Sequence, residues 1–338
     1  MKNLQDISFP LVTIMIPTYN QALFIEQTVE SALSQTYQNL EVVVSDDNSS
    51  DNTSQILKRF ESEPRFIYNR NPKNLGRVGN YRHLLYKLSH GNWVINLDGD
   101  DFFTDENFVQ EAVNITQEFD VVLVGAKYCK QINDKSPINH PSLFDNSKFR
   151  YKILDGLHDA IANVGALGMG HLTEMYNAKL ARDIGFYNQD IITADSESML
   201  RLLMHGKFGF LNKQVAVWRH HGSNASQDSD FEYFYETFRG FDSVYQYGIK
   251  LEKDSSVLDT FRSKSYTLLY QRIFRKIYQT KDISQLPILL QKITEDEIVS
   301  VRSIFYQLGM MKKTIHLLLL KPRPMIQVFL TLYSGNKR

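Results

Sequence analysis

Apolar runs and helix-spaced apolar residues alternate along the first hundred residues of the chain. Four runs read as short, mostly buried strands: Val12–Pro17, Leu40–Ser45, Arg65–Tyr68 and Trp93–Leu97. Between the first two runs, apolar residues recur on one helical face: Ile25, Val29, Ala32 and Leu33. Two further helical patterns lie at residues 53–60 and 81–88. The pattern therefore predicts an alternating order of strands and helices.

Polar clusters follow three of these predicted strands. Thr18–Asn20 follows the first strand, Asp46–Asp51 follows the second and Asp98–Asp101 follows the fourth. An alternating strand–helix order favours a mostly parallel sheet with helices on both faces. In such sheets, ligands bind beyond the carboxyl ends of the strands. We therefore expect an α/β fold whose binding site is built from these clusters.

The second half of the chain is less regular. It predicts a strand at Val121–Val124, a loop-rich stretch at residues 133–147 and a helix after Asp195. Toward the C-terminus the sequence becomes rich in aromatic residues and then in Lys, Arg and Leu, with helical spacing. We predict one domain at residues 1–226 and a helical region at residues 227–338 that makes acceptor, membrane-surface or oligomer contacts.

Composition and charge narrow the class of protein. The 338 residues include 38 Lys plus Arg and 38 Asp plus Glu, and this balance argues against a nucleic-acid partner. The single cysteine, Cys129, rules out intramolecular disulfides and cysteine-rich metal sites. We find no secretion signal and no uncharged apolar run of the ~18 residues that a membrane span needs. We therefore expect a cytoplasmic protein, soluble or peripheral on a membrane.

The acidic cluster Asp98-Gly99-Asp100-Asp101 is the first candidate for chemistry. Carboxylates packed this closely repel one another, so they need a cation or full solvation. Hard oxygen ligands favour magnesium, manganese or calcium. The alternative interpretation is a solvated turn that opens the next helix.

Three other side chains suit a nucleotide. Tyr19 is placed to stack on a base, Asp47 to accept a hydrogen bond from a base N–H, and Arg77 to meet a diphosphate. Each also has an ordinary explanation: an exposed turn tyrosine, a helix-capping acid and a solvated helix arginine. The residues alone leave both interpretations open.

The order of the motifs is more informative than any single one. The chain presents Val-Thr-Ile-Met-Ile-Pro-Thr-Tyr-Asn at 12–20, Glu-Val-Val-Val-Ser-Asp-Asp-Asn-Ser-Ser-Asp at 41–51, Leu-Asp-Gly-Asp-Asp at 97–101 and Trp-Arg-His-His-Gly-Ser at 218–223. In this order and spacing, residues 10–226 resemble glycosyltransferase family 2. The resemblance implies a GT-A fold, which is Rossmann-like with a mixed, mostly parallel sheet. It also implies inverting transfer of a hexosyl or N-acetylhexosaminyl group from a nucleotide-sugar, with uridine as the expected base.

On the nucleotide side, the resemblance assigns a role to each matching residue. Pro17 and Tyr19 match the turn that holds the base, and Asp47 matches the residue that binds the base edge. Asp98 is expected near the ribose, and Asp100 as the ligand of a divalent manganese or magnesium ion that bridges the diphosphate.

On the phosphate and acceptor side, the matches are less complete. An arginine after the Asn-Leu-Gly loop is expected at the phosphates, with Arg77 as the first choice and Arg82 as the alternative. His221 is expected as a metal ligand or phosphate contact. Asp195 matches the catalytic base, with Glu197 as the second candidate. Ala194 stands where relatives usually carry an acid, so one neighbouring charge is missing.

Other functions share parts of this pattern. No G-x-G-x-x-G follows the first strand and no P-loop motif is present, which argues against a dinucleotide-binding oxidoreductase and a P-loop enzyme. A sugar nucleotidyltransferase and a non-catalytic nucleotide- or carbohydrate-binding protein stay as alternatives. The presence of both Asp100 and Asp195 favours an enzyme.

The C-terminal residues suggest where such an enzyme works. Residues 298–338 contain seven basic and no acidic residues among many apolar ones, a composition that suits an anionic membrane surface. A helical cap on the catalytic domain or a homodimer contact explains the same pattern. With the resemblance, we expect a peripheral enzyme on the cytoplasmic face of the membrane. It would extend a glycan or lipid-linked acceptor in bacterial surface polysaccharide synthesis.

Overall fold

A computed structural model gives the fold of the chain. It describes residues 9–133, 135–161, 167–222, 224 and 231–280, together with Leu286, Ile288, Leu289 and Lys292. The chain forms two compact units: residues 1–190 with 194–224, and residues 191–193 with 225–338. The predicted domain boundary at residue 226 lies two residues beyond the end of the first unit.

Ten strands of the first unit form one mixed sheet. They are β1 Val12–Thr18, β2 Leu40–Asp46, β3 Phe66–Arg70, β4 Trp93–Asn96, β5 Phe102–Phe103, β6 Leu123–Ile132, β7 Ile138–Asn139, β8 Tyr151–Asp155, β9 Glu174–Asn177 and β10 Lys207–His220. Across the sheet the order is β3-β2-β1-β4-β9-β6-β10-β5, with β7 beside β6 and β8 beside β10. Strands β3, β2, β1 and β4 are mutually parallel, and β6 is parallel to β10. Strand β9 is antiparallel to both of its neighbours.

Six helices flank this sheet in the described part of the first unit. They are α1 Ile25–Leu33, α2 Thr53–Leu57, α3 Arg77–His83, α4 Phe108–Glu118, α5 Ala178–Asp183 and α6 Ala194–Leu203. The prediction of a mixed sheet flanked by helices is confirmed. Helix α3 starts at Arg77, before the predicted pattern at 81–88, because Gly76 takes a φ of +76° that lets the chain turn into the helix. Strand β6 runs well beyond the predicted Val124, because it pairs with β10 as far as Ile132.

The two faces of the sheet differ near the carboxyl ends of the parallel strands. One face is apolar, and Ile95 of β4 and Met175 of β9 belong to its core. Neighbouring positions along a strand point to opposite faces. The other face therefore carries Ser45, Asn96 and Glu174, all three of them buried polar residues. This polar row lies directly under the candidate site.

The second unit is helical in its described part, as predicted. It contains α7 Phe231–Lys250 and α8 Ser255–Thr280. The two helices pack through aromatic rings, with the Phe238 ring centroid 5.3 Å from the centroids of both Tyr266 and Tyr270. Within the residues that the structure covers, no helix has the length and apolarity to span a bilayer. The basic tail at residues 298–338 lies outside the described residues.

Candidate active site

The loop after β4 fixes the first acid of the site. The Asp98 Oδ1 accepts hydrogen bonds from the Tyr81 hydroxyl at 3.0 Å and from Asn96 Nδ2 at 2.9 Å. The next residue, Gly99, donates its N–H to the carbonyl of Pro17 at 3.1 Å. These bonds tie the acidic loop to β1, β4 and α3, so the Asp98 carboxyl has a defined direction.

The predicted metal ligands Asp100 and His221 meet although they lie far apart in the sequence. The Asp100 Oδ2 is 2.9 Å from His221 Nε2 and accepts a second hydrogen bond from Asn224 Nδ2 at 3.2 Å. The His221 ring stacks on Phe24, with the two centroids 4.6 Å apart. Burial raises the pKa of Asp100, and the charge of Asp98 raises it further. A group that adds positive charge here would therefore stabilise the ionised acid.

Arg219 holds the same loop from the end of β10. Its backbone N–H donates to Asp101 Oδ1 at 2.8 Å, and its guanidinium donates to the carbonyl of Asp100 at 2.7 Å. The guanidinium also lies over the Phe102 ring, 4.3 Å from its centroid. Arg219 thus fixes the two acids through the backbone and through stacking.

The donor chemistry of this pair suits a divalent ion. A carboxylate oxygen and an imidazole nitrogen are both ligands that manganese accepts. In the described part of the chain, no three His, Cys, Asp or Glu side chains are grouped so that they could hold a metal ion. Asp100 and His221 are thus a two-residue start of a site, which phosphate oxygens and water would have to complete.

Asp47 is more constrained than its predicted role suggests. Its Oδ1 accepts hydrogen bonds from Asn71 Nδ2 at 2.9 Å and from the N–H of Leu75 at 2.8 Å. Asp47 therefore organises the loop that leads to Gly76 and α3. Tyr19, on the turn after β1, keeps 49% of its surface exposed, so its ring is open to a ligand.

Arg77 begins α3 and lies between the two groups of acids. Its guanidinium carbon is 5.4 Å from the centroid of the Tyr81 ring. Burial lowers the pKa of Arg77, but Tyr81 and the charges of Asp195 and Asp98 raise it well above its ordinary value. Arg77 is therefore a permanent cation within the fields of both acids.

Asp195 lies in the first turn of α6, and its surroundings are unusual for a half-buried acid. No hydrogen bond or ion pair joins its carboxyl to any residue that the structure describes. It acts electrostatically on Arg77, Tyr81 and Glu174. The structure thus brings Asp195 into one cluster with residues of α3 and β9.

The second candidate base, Glu197, is used inside the fold. Its Oε1 is 2.8 Å from Arg201 Nε, and both side chains are almost fully buried. Arg201 also donates to the carbonyls of Ile184 at 2.6 Å and Gly185 at 3.0 Å. Glu197 and Arg201 therefore hold the turn before α6, and the carboxyl of Glu197 is engaged in this buried ion pair.

That turn positions a chain of hydrogen bonds beside Asp195. Tyr187 has a φ of +58°, and its hydroxyl lies 2.6 Å from His171 Nε2 and 3.1 Å from the Tyr176 hydroxyl. A residue other than glycine in this region costs about 1–3 kcal/mol, and such residues concentrate at functional sites. Burial lowers the pKa of His171, while the charges of Asp195 and Asp98 oppose that change.

Glu174 is the remaining acid of the cluster. It begins β9, its residue is 8% exposed, and burial followed by the charge of Asp195 raises its pKa to about 8. At neutral pH this carboxyl therefore keeps its proton.

Comparison with known proteins finds a family match. Residues 13–171 match the model described as Glycosyl transferase family 2. Over this segment the chain is similar to glycosyltransferase family 2. The family match ends at His171, so Asp195 and His221 lie beyond it.

Curated relatives of this chain match parts of their own length. GlyG of Streptococcus pneumoniae is 28% identical over 118 residues, 35% of this chain and 39% of that protein. Chondroitin synthase of Escherichia coli is 29% identical over 264 residues, 76% of this chain and 36% of that protein. The Escherichia coli UDP-Glc:alpha-D-GlcNAc-diphosphoundecaprenol beta-1,3-glucosyltransferase WfaP is 40% identical over 93 residues, 28% of this chain and 36% of that protein. The chain thus matches less than half the length of each of these three relatives.

Solved structures show the fold of this chain. Staphylococcus aureus TarS 1–349 in complex with UDP-GlcNAc has a TM-score of 0.70 at 16% identity, over 87% of this chain and 82% of that chain. The Pyrobaculum calidifontis mannosyltransferase PcManGT in complex with GDP-Man and Mn2+ has a TM-score of 0.51 at 17% identity, over 89% of this chain and 84% of that chain. At these identities the likeness concerns the fold alone, and the predicted GT-A fold is confirmed.

Several residues of the candidate site were not predicted individually from the sequence. They are Tyr81, Glu174, Tyr187, Arg219 and Asn224. Glu174 carried no usable signal, because β9 was not predicted and its burial is known only from the structure. Arg219 carried none, since its partners, among them Asp101 and the Phe102 ring, come from distant parts of the chain.

Proposed function

We propose that this chain is an inverting, metal-assisted glycosyltransferase. It would move a sugar from a UDP-sugar to a hydroxyl of a glycan or lipid-linked acceptor during bacterial surface polysaccharide synthesis. One observation carries the proposal: Asp98 and Asp195, from distant parts of the chain, act on the same cation, Arg77. An inverting transfer needs a base on one side of the donor sugar and the leaving diphosphate on the other. Two acids that share one cation suit such a site.

Asp195 is the general base in this mechanism. Its carboxylate takes the proton of the acceptor hydroxyl while the oxygen of that hydroxyl forms the new bond to the anomeric carbon. The bond from that carbon to the diphosphate oxygen breaks at the same time, and its electron pair leaves with the nucleotide. The absence of a hydrogen-bond partner for Asp195 among the described residues supports this role, because both oxygens stay available to the substrate.

Positive charge stabilises the leaving diphosphate in this mechanism. Arg77 neutralises the charge that develops on the phosphate oxygens. Asp100 and His221 would hold a divalent ion, which supplies the same electrostatic stabilisation when bound. Asp98 would bind the ribose, and Tyr19 with Asp47 would bind the base, beside Pro17 at the end of β1.

Relatives support the substrate classes. WfaP is named for UDP-Glc and a diphosphoundecaprenol-linked acceptor, and TarS was solved with UDP-GlcNAc. Uridine nucleotides and a lipid-linked or polymeric glycan acceptor are therefore our first choice. A lipid-linked acceptor also favours work at the cytoplasmic face of the membrane, with the basic residues 298–338 near its surface.

Calorimetric titration of nucleotides tests the proposal. UDP, GDP and a panel of their sugars are titrated into the wild type with manganese and with a chelator, and into Asp100→Ala and Asp195→Asn. We expect metal-dependent binding of a uridine nucleotide that Asp100→Ala weakens and Asp195→Asn leaves intact. If no nucleotide binds under any condition, the transferase proposal is wrong and a carbohydrate-binding role takes its place.

A further inference from the structure

Glu174 occupies a central place in the sheet. It begins β9, which runs between β4 and β6, and it pairs with Gly125 of β6. Ile95 of β4 pairs with Met175, so Asn96 and Glu174 lie at neighbouring positions on the polar face. Because β4 and β9 are antiparallel, the start of β9 lies at the edge where β4 leads into the Asp98 loop. Glu174 therefore lies under the candidate site rather than at the surface.

The Glu174 carboxyl has no hydrogen-bond partner among the residues described by the structure. The residue is nevertheless only 8% exposed. Gly125 opposite provides no side chain, and the space above it is filled by the Met169 sulfur. Nearby, Asn96 Oδ1 is likewise buried without a partner. A buried polar group that lacks a partner is costly, so such a group in a site often awaits a ligand.

The charge state of Glu174 limits what that ligand can be. Burial, and then the charge of Asp195, raises the pKa of Glu174 to about 8. A neutral carboxyl offers one O–H donor and acceptor oxygens, which is the pattern that a sugar hydroxyl complements. A metal ion or a phosphate would instead require an ionised acid or a cation.

The position of Glu174 relative to the two acid groups indicates which sugar it meets. In an inverting transfer the donor sugar lies between its diphosphate and the general base. Asp98 and Asp195 both act on Arg77, and we take the space beside this cation and the two acids as the place of the donor sugar. Glu174 is on β9 beside the strand that leads to Asp98, and its electrostatic neighbour is Asp195. It therefore borders the space that the donor sugar would fill.

We propose that Glu174 is a specificity-determining residue whose carboxyl hydrogen-bonds a hydroxyl of the donor sugar. The proposal rests on the proposed function, since it needs a nucleotide-sugar in the site. It adds to that function a residue that selects the sugar and makes no contact with the nucleotide.

Binding of UDP and UDP-sugars to two variants tests this role. Kd values for UDP, UDP-Glc, UDP-Gal, UDP-GlcNAc and UDP-GalNAc are measured with manganese for the wild type, Glu174→Gln and Glu174→Leu. The informative quantity is the ratio between the Kd of UDP and that of each UDP-sugar, because this ratio isolates the contribution of the sugar. Thermal unfolding of all three proteins shows that they are folded.

We expect Glu174→Leu to bind UDP as the wild type does and to lose about three- to tenfold in affinity for the preferred UDP-sugar, the value of one hydrogen bond between neutral groups. The difference in Kd between epimeric donors, such as UDP-Glc and UDP-Gal, should become smaller in the same variant. Glu174→Gln keeps a neutral group that both donates and accepts, so it should retain most of the sugar contribution. A purely structural role would change the Kd of UDP and of its sugars together.

Two results separate failure of this inference from failure of the proposed function. If the wild type binds UDP-sugars and Glu174→Leu has the same Kd ratios, Glu174 does not contact the donor sugar and only the inference is wrong. If the wild type binds no nucleotide, the proposed function is wrong, and the inference falls with it.

Discussion

The acids of the candidate site fall into two groups that differ in how many hydrogen bonds their carboxyls accept from the protein. Asp47, Asp98 and Asp100, which we propose for the nucleotide and the metal ion, each accept two hydrogen bonds from described residues. In the second group, neither Asp195 nor Glu174 has a hydrogen bond or ion pair to any residue in the described ranges. Hydrogen bonds thus fix the direction of the first three carboxyls, whereas the carboxyls of Asp195 and Glu174 stay available to a substrate.

The difference follows from what each group has to do. A group that holds a nucleotide or an ion must keep one direction, and hydrogen bonds from the protein impose it. A group that takes a proton from a substrate must offer its lone pairs to that substrate. The same distinction appears within α6, where Glu197 is locked to Arg201 and Asp195, two residues earlier, is not.

The largest effect on the reaction rate is expected from a change at Asp195, one of the two acids without a hydrogen-bond partner among the described residues. Asp195→Asn removes the proposed base while it keeps the shape of the side chain, so the rate of UDP release in the presence of acceptor should fall by about 10²–10⁴-fold. Its Kd for UDP should change less than about twofold, since no nucleotide contact is assigned to it. Asp190→Asn, the same change at an exposed acid five residues away, is the matched control. If Asp195→Asn releases UDP at a rate close to that of the wild type, Asp195 is not the base and the proposed difference between the two groups of acids is wrong.

The second prediction concerns stability and pH at Glu174. The pKa is about 8 in the folded protein and 4.5 ordinarily. Between these values the unfolded chain has released the proton and the folded protein keeps it, so stability falls as pH rises from about 4.5 to 8 and then levels off. Glu174→Gln lacks this loss, and its advantage in unfolding free energy should grow across that window to an order of 4 kcal/mol.

Denaturant unfolding at pH 5, 6.5 and 8 measures this difference. Glu106→Gln, at an exposed glutamate, serves as the control and should give the same difference from wild type at each pH. A Glu174→Gln variant whose stability tracks the wild type across the window would show that Glu174 is ionised, and therefore that it is partnered like the acids of the first group.

A third prediction tests the tethered pair. Asp100→Ala and His221→Ala should each weaken manganese-dependent UDP binding by about 10–100-fold, the cost usually seen when a metal site loses support. The two side chains lie 2.9 Å apart, so we expect their losses not to add. The double variant should bind UDP only slightly more weakly than whichever single variant binds it more weakly. Calorimetry with manganese and with chelator gives all four values. Additive losses would mean that the two residues act independently.

The smallest effect is expected from one hydrogen bond to Asp98. Tyr81→Phe removes the hydroxyl that holds Asp98 at 3.0 Å and keeps the ring under Arg77. We expect a two- to tenfold increase in the Kd of UDP, corresponding to about 0.5–1.5 kcal/mol. Tyr86→Phe removes a hydroxyl that bonds the carbonyl of Phe186 and should leave the Kd of UDP unchanged. Equal effects of the two changes would show that tethering of Asp98 is unimportant.

Local sequence patterns were enough to predict the alternating order of strands and helices and the edge of the sheet where the acids gather. Apolar runs bounded by polar turns locate β1, β2 and β4, and parallel pairing puts Asp47 and Asp98 at the same edge. It also marked Asp100, Asp195 and His221 as candidates, through motifs whose order resembles the family. These features are local, so hydrophobic periodicity and short motifs carry them.

Which acids have hydrogen-bond partners among the described residues, and which do not, became known from the folded structure. The partners of Asp100 come from a segment more than a hundred residues later in the chain, and no local pattern announces such contacts. Glu197 and Asp195 look alike in the sequence, yet one is buried against Arg201 and the other is not. Glu174 acquires its raised pKa from burial in the middle of the sheet and from Asp195 on another element. Desolvation and charge act through space, and the distances that set them exist only once the chain has folded.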